Sequence, residues 1–285
     1  MSIIEGFKIV LFSVASRYFI AAGLLWLIYY VLIRKKIAFK KIQLRFPESK
    51  DYKREIGYSF ISMIIFAGVP SLVLFTPLRQ YTQYYADIHA HSMLYFWLAF
   101  PLMFILHDTY FYWIHRAMHH PRLFKLFHLV HHKSTNPSPW AAYSFHPLES
   151  ASEAFIFVIL VVVMPITKIH LGIFFGFMIL YNVYGHLGWE IYPKGFSKNW
   201  FGKWINTSVN HNQHHQYFKG NYGLYFLFWD RIMGTIRADY DTKFEEVKGR
   251  IAEKEQREIS NKKQGITNEE VKEIFNAQHS MSNVQ

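Results

Sequence analysis

Residues 7–33 (FKIVLFSVASRYFIAAGLLWLIYYVLI) carry only two charged side chains, Lys8 and Arg17. A helix of that length crosses the ~30 Å apolar core of a bilayer. The run lacks a small-residue cleavage site and exceeds the apolar stretch of a secretion signal, so it reads as a retained membrane helix. A second apolar run covers 57–77. A third, 92–106, leads straight into HDTYFYWIHRAMHH. Two shorter runs, 154–166 and 171–185, flank ITKIH and read as a tight helical hairpin that spans with its flanks or dips part-way.

Composition agrees. Apolar residues make up 51% of the 285 positions and aromatics 19%, which excludes disorder for most of the chain. There is no Cys, so disulfides, Cys-ligated zinc and iron–sulfur clusters are excluded. The net charge of +11 suits an anionic membrane surface or nucleic acid, and the apolar runs favour the membrane, with no nucleic-acid partner. The segment Arg34–Arg54 holds nine Lys and Arg against Glu48 and Asp51, which places it in the cytoplasm. Alternation of the spans then delivers 107–150 and 188–285 to the same cytoplasmic side. The expected fold is all-α: a multi-pass membrane helix bundle with a cytoplasmic His-rich helical cap. Its expected parts are a transmembrane region 1–91, a catalytic region 92–240 and a charged, solvated tail 241–285. Removal of that tail is expected to leave the site intact.

Three clusters hold eight of the 16 His residues. His115 and His119 lie in HRAMH, His128, His131 and His132 in HLVHH, and His211, His214 and His215 in HNQHH. Spacings of i, i+3 and i+4 bring side chains to one face of a helix. Neutral imidazole ligates iron, zinc, copper and nickel. Eight nitrogens exceed the needs of one ion, so two metal ions are expected. At this His content roughly 0.05 copies of HxxHH arise by chance, and the chain has two.

Other candidates are graded by position. His186 and Glu190, in NVYGHLGWE, lie one turn apart at the inner end of the hairpin. His186 is taken as a ligand; Glu190 as a ligand or a carboxylate that orients one. Asp108 shares the His115 face and is the candidate partner for an imidazole N–H. His107, His120 and His146 have no settled role. Trp113 reads as an interfacial aromatic, a reading also open to Tyr112, and Arg116 as a partner for an acid or a lipid phosphate. His89, His91, His170 and His279 belong to outer loops or the tail.

From His107 to Thr235 the chain resembles the fatty acid hydroxylase/sterol desaturase superfamily of integral membrane di-iron proteins. The likeness rests on HDTYFYWIHRAMHH, FHLVHHKSTNPSPWAAYSFHPLE, NVYGHLGWE and NHNQHHQYFKGNYGLYFLFWDRIMGT. It looks closer to sterol desaturases and alkylglycerol monooxygenases than to sphingolipid 2-hydroxylases, through DTYFYWIHR and through Glu190, where the latter carry a further His. The resemblance implies two non-heme iron ions held by His115, His119, His128, His131, His132, His186, His211, His214 and His215. It also implies O2 as cosubstrate; Glu190 and Asp108 are taken, from their helical positions, as the supporting catalytic groups. The implied reaction is hydroxylation or desaturation of a lipid: a sterol, fatty acyl chain, alkylglycerol or carotenoid. No flavin, dinucleotide or fused heme-domain motif is present, so an external donor of the cytochrome b5, ferredoxin or reductase kind is expected. A membrane zinc-dependent lipid hydrolase and a metal transporter are the rival readings; the first needs three ligands, the second polar groups at mid-membrane.

Overall fold

The computed structural model describes residues 1–263. His279 and the end of the expected tail lie outside them. The described chain is helical, apart from three isolated β-bridges. Helix α1 (Ile3–Trp26) starts at Ser2, whose hydroxyl accepts from Glu5 N while Glu5 reaches back to Ser2 N. It continues as a π-helical stretch, Leu27–Leu32. Tyr30 in this stretch donates to Leu187 O at 3.0 Å and so ties the first helix to the cap. The short α2 (Arg34–Ile37) follows.

Helix α3 (Ser49–Leu74) starts eight residues before its apolar run, because Glu48 and Asp51 form a reciprocal cap around its first turn. Helix α4 (Met93–Met118) fuses the third apolar run with the first His motif in one continuous rod. Among the described residues, Ile3–Leu32, Ser49–Leu74 and Met93–Met118 are long and apolar enough to cross a membrane.

Two short pieces follow, α5 (Pro121–Phe127) and the single turn α6 (Leu129–His132). The hairpin is α7 (Pro147–Val163) and α8 (Lys168–Gly185). Its turn sits beside the loop before α4: Tyr85 N donates to Ile166 O at 3.1 Å, and His170 Nε2 is 2.9 Å from Phe96 O. The hairpin thus runs the depth of the bundle. His170 lies at the end away from the His motifs, where its Nδ1 caps α8 through Thr167 N.

Two cores hold the bundle. Tyr18, Ala22, Met63, Ile179 and Val183 join α1, α3 and α8, and Val73, Ala99, Met103, Phe157, Leu160 and Phe174 join α3, α4, α7 and α8. The N-terminal helices therefore share a core with the hairpin. Phe12, Ile20, Leu94, Trp97, Ile105, Phe155 and Leu180 face outward, an apolar exterior that suits lipid.

The cap is α9 (Ser208–Tyr217), α10 (Phe228–Ile232) and α11 (Tyr240–Lys263). The basic segment packs onto it: Lys41 Nζ donates to Asn136 Oδ1 at 2.7 Å, and Gln43 Nε2 to Asn212 Oδ1 at 2.9 Å. It thus shares one end of the bundle with all the His motifs. The start of α11 departs from the expected solvated tail. Tyr240, Phe244 and Val247 are buried against Ile42, Val209 and Leu227, and Lys248 donates to Glu190 O. A helix with a charged outer face and aromatics at i and i+4 reads as solvated by composition, yet its apolar stripe docks on α9. Phe244→Ala is expected to cost about 3–5 kcal/mol, measured as a lower thermal midpoint in detergent. An unchanged midpoint would separate α11 from the stability of the cap.

Candidate metal centre

The nine His residues named above converge into two groups. His115, His119, His128, His132 and His214 form one; His131, His186, His211 and His215 form the other. Each adjacent pair is split, with His132 and His214 in the first group and His131 and His215 in the second. Successive residues on a helix project about 100° apart, so each HH doublet contributes to both groups at once.

In each group the Nε2 atoms face one another. In the first, His115–His128 is 2.9 Å, His132–His214 3.0 Å, His132–His119 3.1 Å and His119–His214 3.2 Å. In the second, His211–His186 is 3.0 Å, His215–His211 3.1 Å, His215–His186 3.2 Å and His186–His131 3.4 Å.

The opposite ring nitrogens set the protonation. His115 Nδ1 donates to Tyr222 O at 2.8 Å, His186 to Asn182 O at 2.7 Å, His214 to Gly220 O at 2.8 Å and His215 to Ser134 O at 2.9 Å. A carbonyl only accepts, so each of these rings carries its proton on Nδ1 and a lone pair on Nε2. His128 Nδ1 donates to Glu149 Oε1 at 2.5 Å. Burial, reinforced by neighbouring imidazoles, holds His128, His131, His132, His211, His214 and His215 well below the usual imidazole pKa, so they are neutral.

Lone pairs aimed at one another across 3 Å repel unless a cation lies among them. Imidazole–metal bonds of 2.0–2.1 Å at right angles separate neighbouring nitrogens by about 3 Å, the spacing seen here. The donor set therefore fits two metal ions, each in an all-nitrogen shell from protein.

The two carboxylates proposed from sequence stand elsewhere. Asp108 Oδ1 accepts from Tyr225 N at 2.8 Å and Phe226 N at 3.1 Å. It bonds no imidazole; it holds the loop whose carbonyls orient His115 and His214. Glu190 accepts from Tyr184 Oη at 2.7 Å, Tyr192 N at 3.0 Å and Val209 N at 3.1 Å. It too bonds no imidazole. Its charge caps the first turn of α9, the helix that carries HNQHH.

The carboxylate that does reach an imidazole is Glu149, in FHPLE, which the spacing argument passed over. Its signal was available: an acid at the head of an apolar helix needs a buried partner. Asp230 was also missed. It accepts from Tyr222 N, Gly223 N and Thr235 Oγ1 and clamps the same loop as Asp108. Gly220 there has φ +80°, and a Cβ would meet Thr235 O at 2.6 Å, so only glycine lets its carbonyl reach His214.

The remaining candidates are placed plainly. His107 Nδ1 is 3.0 Å from Tyr225 Oη, outside both groups. His120 and His146 are N-caps of α5 and α7. Tyr112 is buried, with its hydroxyl 2.9 Å from Thr235 Oγ1 and bonded by Arg116, whereas Trp113 is exposed.

A cavity of about 430 Å³ opens inside the bundle. Its middle is walled by Val10, Val14, Phe66, Phe157, Leu171 and Phe175. At its inner end are Phe111, which packs on the His115 ring at 5.0 Å, and Phe145, which packs on His131 at 4.9 Å. An apolar chamber thus abuts both His groups.

Residues 100–235 match the fatty acid hydroxylase family. A delta(7)-sterol 5(6)-desaturase of Aspergillus fumigatus is 32% identical over 191 residues, 67% of this chain and 52% of that protein. A delta(7)-sterol 5(6)-desaturase of Leptosphaeria maculans is 30% identical over 228 residues, 80% of this chain and 60% of that protein. A lathosterol oxidase of Rattus norvegicus is 32% identical over 190 residues, 65% of this chain and 60% of that protein. The chain spans about half to three-fifths of the length of these relatives. No solved structure matches it. The chain belongs to the fatty acid hydroxylase/sterol desaturase superfamily.

Glu149→Ala is expected to weaken metal binding about 10–100-fold, the usual effect of losing the partner of a ligating imidazole. His170→Ala, at the far end of the bundle, should leave metal content unchanged. Metal analysis after titration with ferrous iron distinguishes them, and equal retention in both variants would remove Glu149 from the centre.

Proposed function

We propose that this chain is a membrane-bound, iron-dependent oxidoreductase that uses O2 to desaturate or hydroxylate a lipid, with a sterol-type ring system as substrate. The observation that carries the reading is the apolar cavity that abuts two groups of inward-facing imidazoles. The sterol preference is supported by the named activities of the relatives.

The first iron would be held by His115, His119, His128, His132 and His214, and the second by His131, His186, His211 and His215. When bound, such a pair supplies the oxidising power to remove hydrogen from an unactivated C–H bond, given O2 and two electrons from outside. The chain's own residues do the rest. Phe111 and Phe145 separate the lipid from the ligand rings and keep bulk water out. Glu149 and the carbonyls of Asn182, Ser134, Gly220 and Tyr222 hold ring protons on Nδ1, which keeps every opposing Nε2 free to bind. The cavity wall fixes which C–H faces the metals, and that placement separates desaturation from hydroxylation.

The electron donor is external. Arg122, Lys125, Lys133 and Lys219 are exposed on segments that carry or adjoin the ligands, a surface suited to an acidic cytochrome b5-like, ferredoxin or reductase partner. The helices cross the bilayer more than once, with the basic Arg34–Arg54 segment and the centre in the cytoplasm. The zinc hydrolase and transporter readings gain nothing from nine converging imidazoles at one end of the bundle.

Comparative mass spectrometry of cellular sterols with and without the gene tests the chemistry. A sterol lighter by two hydrogens or heavier by one oxygen, absent when His214 is changed to Ala, is the expected result. An unchanged sterol profile would count against a sterol substrate.

Orientation has its own test in a Cys-free chain. Ser134 is buried and bonded to Arg54, so exposed Lys133 is the labelling position. Cys at 133 and at 36 should react from the cytoplasmic side, and Cys at 87 from the other. Labelling at 133 and 87 from the same side would break the proposed topology.

A further inference from the structure

The cavity has three charged liners within the described residues: Arg17, Glu153 and Lys168. Lys168 is exposed, beside the outer turn of the hairpin. Arg17 donates to Ser13 O on its own helix. Glu153 differs from both. It lies inside the bundle on α7, and its carboxyl group has no hydrogen bond or ion pair among the described residues. Its neighbours in sequence do not share this state: Ser152 donates to Leu148 O and accepts, through its carbonyl, from Tyr110 Oη.

A carboxyl group on an apolar wall without a partner is destabilising, whichever its protonation state. Such a group is retained where something that enters the cavity satisfies it. Its depth narrows what that is. Glu153 is one turn, about 6 Å, along α7 from Glu149, which bonds a ligand of the first His group. His107 and Asn182 line the same inner region, one to two turns from His115 and His186 on their helices. The middle of the cavity is aliphatic and aromatic. The inner end of the chamber therefore offers buried polar groups beside the His groups, and the middle offers only apolar walls.

We propose that Glu153 anchors a hydroxyl group of the lipid by hydrogen bonding, so that the substrate lies with its alcohol end beside the metal centre and its hydrocarbon end along the cavity. This rests on the oxidation of a ring-fused lipid proposed above and adds its orientation. The carbon oxidised is then within a few bonds of the hydroxyl, on the ring system, and not at the far end of a side chain. A carboxyl group both donates and accepts, so it meets an alcohol whichever partner holds the proton. An ether at the same position accepts only and adds bulk.

The test is equilibrium competition on the full-length, iron-loaded protein in lipid nanodiscs. Radiolabelled lathosterol is displaced by unlabelled lathosterol or by its 3-methyl ether. The wild-type protein is expected to prefer the alcohol by roughly tenfold or more, the usual effect of one hydrogen bond to a group otherwise left unpaired. Glu153→Leu should erase the preference, while Glu153→Gln, whose amide donates and accepts, should keep it. Iron content serves as the folding control, because Glu153 bonds no imidazole. Equal affinity for alcohol and ether in the wild-type protein overturns the anchor, as does binding of neither. A Leu variant that keeps its iron and the full preference overturns it too. If the Leu variant loses its iron, the wild-type comparison and the Gln variant decide. Preference without turnover of any sterol would count against the oxidation and leave the anchor standing; turnover of ether and alcohol alike would do the reverse.

Discussion

Nine imidazole nitrogens held about 3 Å from one another are in repulsion until a cation lies among them, and most of the polar structure of this chain exists to hold them there. Five of the rings are fixed at the back rather than at the front. Backbone carbonyls at Ser134, Asn182, Gly220 and Tyr222 and the Glu149 carboxylate take the Nδ1 protons of five of the nine. Fixing the rear proton leaves each Nε2 free to bind metal. It also makes the centre depend on loops, since a carbonyl is only as well placed as the backbone that carries it. Asp108 and Asp230 bond that backbone at four amides between 222 and 226.

This arrangement explains why the acids in the region avoid the ligand shell. Four of them, Asp108, Glu149, Glu190 and Asp230, are buried near the centre; Asp108, Glu190 and Asp230 accept from protons of the scaffold, and Glu149 accepts from the rear of the His128 ring. An anion among the ligands would stabilise the higher oxidation state of a bound metal. Neutral imidazoles would favour its reduced state. Keeping the carboxylates one bond further out leaves the shell neutral while using their strength as acceptors to position it.

Much of this was legible in the sequence, for reasons that differ by residue. The long apolar runs dictated three of the helices, since bilayer thickness and helix rise leave little choice. The His groups were legible because metal chemistry demands one residue type at helical spacing, and all nine named positions converge. The carboxylates were not. Asp108 shares a helical face with His115, but the loop at 225–226 takes its oxygen first, and no spacing rule reveals a contact across more than 100 residues. Glu190 sits one turn from His186 in sequence, yet α8 ends at Gly185, so the helical geometry that would have pointed it at the metal stops short. Glu149 went unnoticed because it lies 21 residues from His128, outside any local pattern. The docking of α11 was hidden in the same way: its charge count describes the face toward water, and Phe244 describes the other.

The end of α8 also links the centre to the rest of the fold. Once the helix stops, Gly188 takes a φ of +81°, with Tyr30 Oη and Lys41 Nζ close to where a side chain would stand. The chain then reverses and brings Glu190 to the start of α9. Tyr30 belongs to the first membrane helix, and Lys41 to the basic segment that bonds the loop after HLVHH. His186, the one clustered imidazole that comes from the hairpin, is therefore set by a junction where the first helix, the basic segment and the cap meet. A metal centre assembled from α4, α6, α8 and α9 needs those elements in fixed register, and this junction supplies it. The N-terminal helices thus act on the centre without lending it a ligand. They close one wall of the apolar cavity, and through Tyr30 they hold the hairpin end that carries His186.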